Sequence, residues 1–585
     1  SVPDSAPSRQ RKLYSLLAKL ELPRVRRSVY ALALLLVAPS VFSGFAADDW
    51  ILLYELDPPP NPDWAGTPPW DLYRLFDPEH VRKLIDGGGL QWWTYVDATC
   101  GFFRPLSGLT HMLDHWIART NPIVAHLHSV FWFALFLIAA GRLYRRLLTP
   151  GWVAGVACAM FALDTAHGGS VGWLVNRSAL VGGTFAIAAL ILHHRARSGG
   201  GIRFALGAFA CCALALLAAE LSVCMLGYLV AYALFLERGS LLRRGVTLAP
   251  YLPIFAGWAV TRKLGGYGTS GLYTYVDPAQ EPFAFLFSLL PRIAMLLAGQ
   301  GVRLVSDVYE MLPRALQPLY LFAALGGCAL LSWFAWPSLR QRAELRFFAA
   351  GAVLSAVPMG TTQPSDRLLT LVGVGVMPVI AAAVHHALTE GATGLRPKLA
   401  AALAGLHLII APLFLPIATL GPALLTSVML GAAESLPDDP QLREQSVFVL
   451  VVPDSTFMSY IPVIRHVQGK ARPRRLYWLS STETEVRVER RAANVLRVTP
   501  ARGFYDRRSE ARSPLHPFAA GDRVELSDLT IEIRSLTPDG RPAVCDFVFK
   551  APLESAEYSF RTWRDGQLVP IDVPALGATL TVSAL

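Results

Sequence analysis

Residues 41–56 read VFSGFAADDWILLYEL. An apolar run that begins near residue 28 ends here, and Asp48 and Asp49 stand side by side where it stops. An α-helix needs roughly 20 mostly apolar residues to cross a bilayer. The run therefore reads as a first membrane helix, and the paired acids as the start of whatever lies beyond it. The rest of the chain agrees. Of 585 residues, 53% are hydrophobic and only 16% charged, with a mean hydropathy of +0.39, which is too apolar for a soluble globular protein.

Further apolar runs lie at about 124–141, 151–163, 178–192, 203–219, 221–236, 246–261, 317–336, 346–360, 367–384 and 399–430. With the first run they predict a polytopic α-helical membrane protein of about eleven transmembrane helices. Lys and Arg collect at cytoplasmic helix ends. The first 27 residues carry Arg9, Arg11, Lys12, Lys19, Arg24, Arg26 and Arg27, and alternate loops repeat the pattern at Arg142/Arg145/Arg146, Arg195/Arg197/Arg203, Arg238/Arg243/Arg244, Arg340/Arg342/Arg346 and Arg396/Lys398. The alternation closes with the N-terminus inside and the C-terminus outside, provided that 283–311 is an interfacial or re-entrant element rather than a span. The run at 28–47 is long for a cleaved signal and is read as a retained helix.

This topology divides the chain into a basic cytoplasmic N-terminus (1–27), a transmembrane domain (28–435) with long outer loops at 48–122 and 262–316, and an extracytoplasmic C-terminal domain (436–585). The net charge of +10 is accounted for by cytoplasmic loops and an Arg-rich C-terminal domain, so no nucleic-acid partner is implied. Ala, Arg and Gly richness points to a bacterium, and hence to an inner membrane with a periplasmic C-terminal domain; in a eukaryote the same topology would face the endoplasmic reticulum lumen.

Polar residues gather on the outer side. The first outer loop carries Trp50, Trp64, Trp70, Trp92, Trp93 and Trp116, which read either as an interfacial aromatic belt or as ring faces lining a substrate groove. FALDTAHGGSVGWLVNRSALVGG holds Asp164, His167, Asn176 and Arg177 between two spans; Glu220 stands alone in LAAELSVCML; Asp366 and Arg367 open PSDRLLTLVGVG. Ionisable groups at membrane depth are costly and usually face a cavity. Several separated outer ends therefore converge on acids, histidines and arginines.

A long first outer loop opening on paired acids resembles the GT-C superfamily of membrane glycosyltransferases, which includes the protein O-mannosyltransferases. The resemblance narrows to the transmembrane and tetratricopeptide-repeat O-mannosyltransferases. Their YRPL motif, followed by a helix with a P…H…N…H pattern, is similar to FFRPLSGLT and NPIVAHLHSVFWFALFLIAAGRLYRRL here, and their next outer loop to FALDTAHGGSVGWLVNRSALVGGTFAIAALI. Their KE pair is echoed by AELSVCML and their ERYLYLPS by DRLLTLVG. The likeness covers roughly 28–390. It departs at HGGSV, where the acid after the matching histidine is missing, at Ala219, which stands where the lysine would, and after the membrane region, where no helical repeats follow.

The resemblance implies an inverting transferase that takes a sugar from a polyprenyl phosphate on the extracytoplasmic side. The acceptor would be a hydroxyl of a protein, lipid or glycan, with membrane lipid as the surroundings. A carboxylate within hydrogen-bond reach suits the removal of the acceptor's proton. Two adjacent acids at a half-desolvated interface push one pKa towards working pH. The family places the base within Asp48/Asp49; adjacent side chains on a helix diverge, and Asp49 is favoured. The leaving phosphate calls for fixed guanidinium charge, with Arg367, Arg177 and Arg104 the candidates in that order and Glu220 and Asp366 at the same donor end. His126, His128, His167, Asp164 and Asn176, with Tyr267 and Tyr273, are the expected substrate-lining groups. Histidines at 111, 115, 126, 128 and 167 raise the question of a divalent metal, although His126 and His128, two apart, make a poor chelating pair.

The segment TRKLGGYGTSGLYTYVDP lacks phosphate-loop spacing and reads as either a flexible outer loop over the acceptor or a tight structural loop. The C-terminal domain predicts strand, helix, strand and then a series of strands, as a small α+β or β-sandwich module. Asp454, Ser455 and His466 lack a GxSxG elbow, so the module reads as acceptor-binding or partner-binding. Two other classes remain open: a transporter of a lipid-linked glycan, disfavoured by the absence of repeated halves, and an inactive scaffold, disfavoured by the retained acids and arginine.

Overall fold

The computed structural model describes residues 8–58, 67–389, 394–506 and 511–584; Trp64 lies outside them. The chain is mostly helical up to Glu434 and mostly sheet beyond Ser446. Among the described residues seven helices are long and apolar enough to cross a membrane: Pro23–Phe42, Pro122–Leu147, Leu174–Gly200, Pro282–Val302, Gln317–Gln341, Asp366–Thr389 and Leu395–Glu434. Gly151–Ala162, Ile202–Ala218 and Glu220–Phe235 are shorter apolar helices. Each of the eleven expected apolar runs is helical, and Pro282–Val302 adds a long apolar helix that was not expected as a span. The run at 246–261 becomes a 13-residue helix, Leu252–Leu264, ending in Arg262 and Lys263, and that at 346–360 a 17-residue helix, Ala343–Met359, opening with Glu344. Pro23, Pro122 and Pro282 open helices at the first turn, where the missing N–H costs nothing. The Asn121 side chain accepts the Ile123 amide at the same cap, satisfying one of its orphan donors.

The segment expected as an interfacial element over 283–311 contains a 21-residue apolar helix, Pro282–Val302. Its two ends are nevertheless tied to one short turn. Before it, the Val276 amide donates to Thr361 O (2.8 Å); after it, the Ser306 amide donates to Asp366 Oδ1 (2.9 Å). Thr361 and Asp366 both lie in the connection between Ala343–Met359 and Thr370–Thr389, so the segments that enter and leave the helix meet the same end of the bundle. That end also holds Asp48, Asp164 and Glu220.

The C-terminal region holds a four-stranded sheet in the order Gln567–Pro570, Tyr558–Arg564, Ser446–Val449, Arg475–Trp478, with Ser446–Val449 parallel to both neighbours. A six-stranded antiparallel sheet runs Thr579–Val582, Val486–Ala492, Val495–Pro500, Pro542–Phe549, Leu529–Leu536, Arg523–Glu525. The helix Ser455–Val467 connects the first two parallel strands, as a parallel pair requires.

The boundary expected at 436 does not divide the hydrophobic cores. Trp50, Val81, Ile85, Trp92 and Trp93 of the first outer loop share one buried core with Phe448, Trp478, Phe504 and Phe547 of the C-terminal region. Trp92 Nε1 donates to Leu479 O (3.0 Å), and Trp93 stacks on Tyr505 at 5.2 Å between centroids. These tryptophans are core, not a substrate groove; Trp116, 79% exposed, fits the interfacial alternative. Of the two readings of the glycine-rich segment, the tight one describes it: Gly268–Ser270 pairs antiparallel with Thr99–Gly101, which in turn pairs with Arg74–Phe76. Gly271 has φ +73°, and a Cβ there would meet the Tyr95 ring at 2.4 Å, so only glycine fits the close approach.

Candidate active site

The acids at the end of the first run open a short helix, Asp48–Leu56. Both sit in its first turn, where unpaired amides and the helix dipole favour negative charge. The residue before them, Ala47, is held at φ 44° and ψ −117°, a conformation that costs a non-glycine residue about 1–3 kcal/mol. Its amide donates to Thr426 Oγ1 (2.9 Å). His126 Nε2 donates to Gly44 O (2.8 Å), so this expected substrate-lining histidine instead fixes the loop leading into the acids.

The two carboxylates then part. Asp49 is 2% exposed; its Oδ2 accepts the amides of Ala46 (2.9 Å) and Leu174 (3.4 Å), and its Oδ1 that of Val175 (2.8 Å). It ties the new helix to the loop 173–175. Asp48 instead lines a cavity of about 400 Å³. Burial pushes its pKa above the ordinary carboxylate range, against the hydrogen bond from Tyr460 and the charges of Arg367 and Arg104. Asp49, the acid favoured as base, does not line this cavity.

The cavity wall carries Arg104, Glu220, Arg262, Asp277 and Arg367 as its other charged groups, set among Leu52, Phe102, Trp173, Trp258 and Tyr275. Glu220 is paired: its Oε1 accepts from Arg262 Nε (2.8 Å) and from the Phe103 amide (3.3 Å). Arg104 and Arg367 have no carboxylate partner among the described residues. The Arg104 guanidinium lies 4.5 Å from the Phe102 ring centroid and 5.0 Å from that of Tyr73, and the Arg367 guanidinium 5.1 Å from that of Trp173. Arg104 Nη1 donates weakly to Ser178 Oγ (3.4 Å), and its Nε is buried without a partner. Two guanidiniums held on aromatic faces with free donors are suited to an anionic ligand. Asn176 also lines the cavity, with its Nδ2 buried and unpartnered.

Other expected site residues lie elsewhere. Arg177 is fully buried, with Nη1 2.5 Å from Asp114 Oδ2 and donations from Nε to Ser129 Oγ (2.9 Å) and Nη2 to Ala125 O (2.7 Å). His128 Nδ1 meets the other oxygen of Asp114 at 2.7 Å. This is an internal clamp, so Arg177 and His128 do not face the cavity. Asp164 caps the Ala166 amide (2.9 Å) and accepts from Gln300 and Arg303. His167 donates to Phe161 O (2.7 Å) inside a cage of Phe133, Phe136 and Phe161. Asp366 accepts the Ser306 amide. Tyr267 donates to Asp71 (2.7 Å) under Arg74, and Tyr273 is half-buried off the cavity wall while Tyr275 lines it. Among the described residues no three His, Cys, Asp or Glu side chains converge to hold a metal ion.

No family model matches the chain, and no curated protein matches it. Among solved structures it is similar to ArnT from Cupriavidus metallidurans bound to undecaprenyl phosphate, with 13% identity and a TM-score of 0.37 over 77% of this chain and 88% of ArnT. It is also similar to the arabinosyltransferase EmbB from Mycobacterium smegmatis, with 12% identity and a TM-score of 0.35 over 93% of this chain and 51% of EmbB. Likeness at that distance assigns no role to any residue here.

The residues that sequence reasoning missed are those brought in by the fold. Trp173 and Trp258 supply aromatic wall, Arg262 neutralises Glu220, and Asp114 neutralises Arg177. The most distant is Tyr460, whose hydroxyl donates to Asp48 Oδ1 at 2.5 Å across 412 residues. Only Arg262 had a sequence signal, as a basic residue at the end of an apolar run.

Proposed function

We propose that the protein is a GT-C-type glycosyltransferase that moves a sugar, with inversion, from a polyprenyl-phosphate donor to an acceptor hydroxyl. Asp48 is its general base. The observation that carries the reading is the shared cavity: one raised-pKa carboxylate faces the same space as two guanidiniums without carboxylate partners. The sequence resemblance supports the superfamily; it leaves open the sugar, with a mannosyl donor the first to test, and the acceptor, a protein, lipid or glycan. The cavity end is taken as extracytoplasmic, periplasmic in a bacterial inner membrane, from the alternation of basic loops.

In this mechanism Asp48 takes the acceptor's proton as the acceptor oxygen attacks the anomeric carbon, and the bond from that carbon to the phosphate oxygen breaks on the opposite face. The leaving polyprenyl phosphate carries the departing electron pair. Arg367 and Arg104 meet its charge with donors already oriented by the rings beneath them. The apolar wall of Leu52, Phe102 and Trp258 excludes water, which strengthens those contacts.

The test is donor turnover by the purified full-length protein in detergent, with radiolabelled polyprenyl-phosphate mannose and, separately, other prenyl-linked sugars, with membrane extract as acceptor source. Release of label by the wild type and its loss in Asp48→Asn, with donor binding kept, supports the transferase and its base. No release from any donor would overturn the reading in favour of the transporter or the scaffold.

A further inference from the structure

We infer that Tyr460, on a helix of the C-terminal domain, is a positioning residue for Asp48, so that the catalytic centre is complete only when that domain is seated on the membrane domain. The inference rests on the assignment of Asp48 as base. Tyr460 lies on the helix Ser455–Val467 and is 8% exposed, and its hydroxyl reaches Asp48 Oδ1 at 2.5 Å. The same interface is pinned on either side of that contact. Gln91 Nε2 donates to Ser455 Oγ (3.2 Å), and His466 Nε2 donates to Asp57 O (3.1 Å), just beyond the helix that Asp48 opens.

The chemistry of the contact is directional. A phenol donating to a carboxylate favours its ionised form and holds one oxygen, leaving Oδ2 to receive the acceptor's proton. Four groups act on Asp48 from the elements around it: Tyr460 from the C-terminal domain, Arg104 from the first outer loop, Arg367 from the turn before Thr370–Thr389, and the neighbouring carboxylate of Asp49. The first three favour the carboxylate; Asp49 and burial oppose it. Removing the phenol hydroxyl while keeping its ring therefore moves Asp48 towards protonation and frees its rotamer.

The experiment is the pH–rate profile of donor turnover for full-length wild type, Tyr460→Phe, Gln91→Leu and Asp48→Asn, with thermal unfolding of each. The expected result is an acid limb displaced upward by about one pH unit or more in Tyr460→Phe, with turnover recovering at high pH. Gln91→Leu, which removes one separate hydrogen bond of the same interface without unseating the domain or touching Asp48, should keep the wild-type limb. An unmoved limb in Tyr460→Phe, with Asp48→Asn inactive, would overturn the role of Tyr460 alone. Turnover retained in Asp48→Asn would instead overturn the base. If Tyr460→Phe is unstable, Tyr460→Met, which fills the space without a hydrogen-bond donor, should show the same displaced limb; an unmoved limb in that folded protein would also overturn the inference.

Discussion

Asp48 and Asp49 are adjacent in the chain but serve opposite sides of one helical turn: Asp49 accepts the amides of residues 46, 174 and 175, whereas Asp48 faces the cavity and Tyr460. Successive side chains on a helix point about 100° apart, so a pair of acids at a helix start is divided between a structural and a chemical task by geometry alone.

Substitution should separate those tasks. Asp48→Asn is expected to lower donor turnover by about 10²–10⁴-fold, the usual contribution of a general base, with an unchanged unfolding midpoint. Asp49→Ala leaves three backbone amides without their acceptor, each costing about 1–3 kcal/mol when buried, and should lower the unfolding midpoint. Circular dichroism melts in detergent beside turnover assays distinguish the two; equal effects of both variants on both readouts would contradict the division.

The arginines divide in the same way. Arg367→Ala and Arg104→Ala each remove charge-assisted contacts of about 1.5–3 kcal/mol, so kcat/KM for the polyprenyl-phosphate donor should fall by about 10–100-fold while the protein stays folded. Arg177→Ala breaks a buried ion pair with Asp114, a change of about 3–5 kcal/mol, and should reduce the yield of folded protein. A folded Arg177→Ala protein with a selective donor defect would return that residue to the site.

The pH dependence follows from Asp48. A base must be deprotonated, and burial raises its pKa above the usual value of about 4. Activity should therefore fall as pH drops through a value higher than an exposed aspartate shows. Burial likewise pushes Asp49 up to about 7. A raised folded-state pKa contributes stability that is fully present below the unfolded value and lost as pH rises through about 7. The unfolding midpoint of wild type relative to Asp49→Asn should accordingly decline between about pH 4 and pH 7; a constant difference would contradict the shift.

Ala47 stores strain just before the acids, at φ 44°. Glycine adopts that conformation without penalty, so Ala47→Gly should stabilise the fold by about 1 kcal/mol or more, read as a higher unfolding midpoint. Ala47→Val, with a branched Cβ, should lower it.

What was legible in the sequence was whatever composition and period encode. Hydropathy marks most of the helices, and the strand, helix, strand opening of the C-terminal domain appears where alternation predicted it, at Ser446–Val449, Ser455–Val467 and Arg475–Trp478. The runs at 246–261 and 346–360 are helices as expected, over Leu252–Leu264 and Ala343–Met359. Asp48, Arg104, Arg367, Glu220 and Asn176, read as polar groups at apolar run ends, line the cavity; His126, His128, His167 and Arg177, read the same way, do not.

The sequence by itself determined that apolar helices bring acids and arginines to one end of a bundle, because burying apolar surface leaves ionisable groups only a few affordable places. Only the tertiary structure decided which of those charges are already neutralised. Arg177 finds Asp114, Arg262 finds Glu220, and Arg104 and Arg367 lie against aromatic faces with no carboxylate partner among the described residues. Pairing depends on distances between residues far apart in the chain, and a phenol 412 residues from Asp48 comes within hydrogen-bond reach only once two regions share a core.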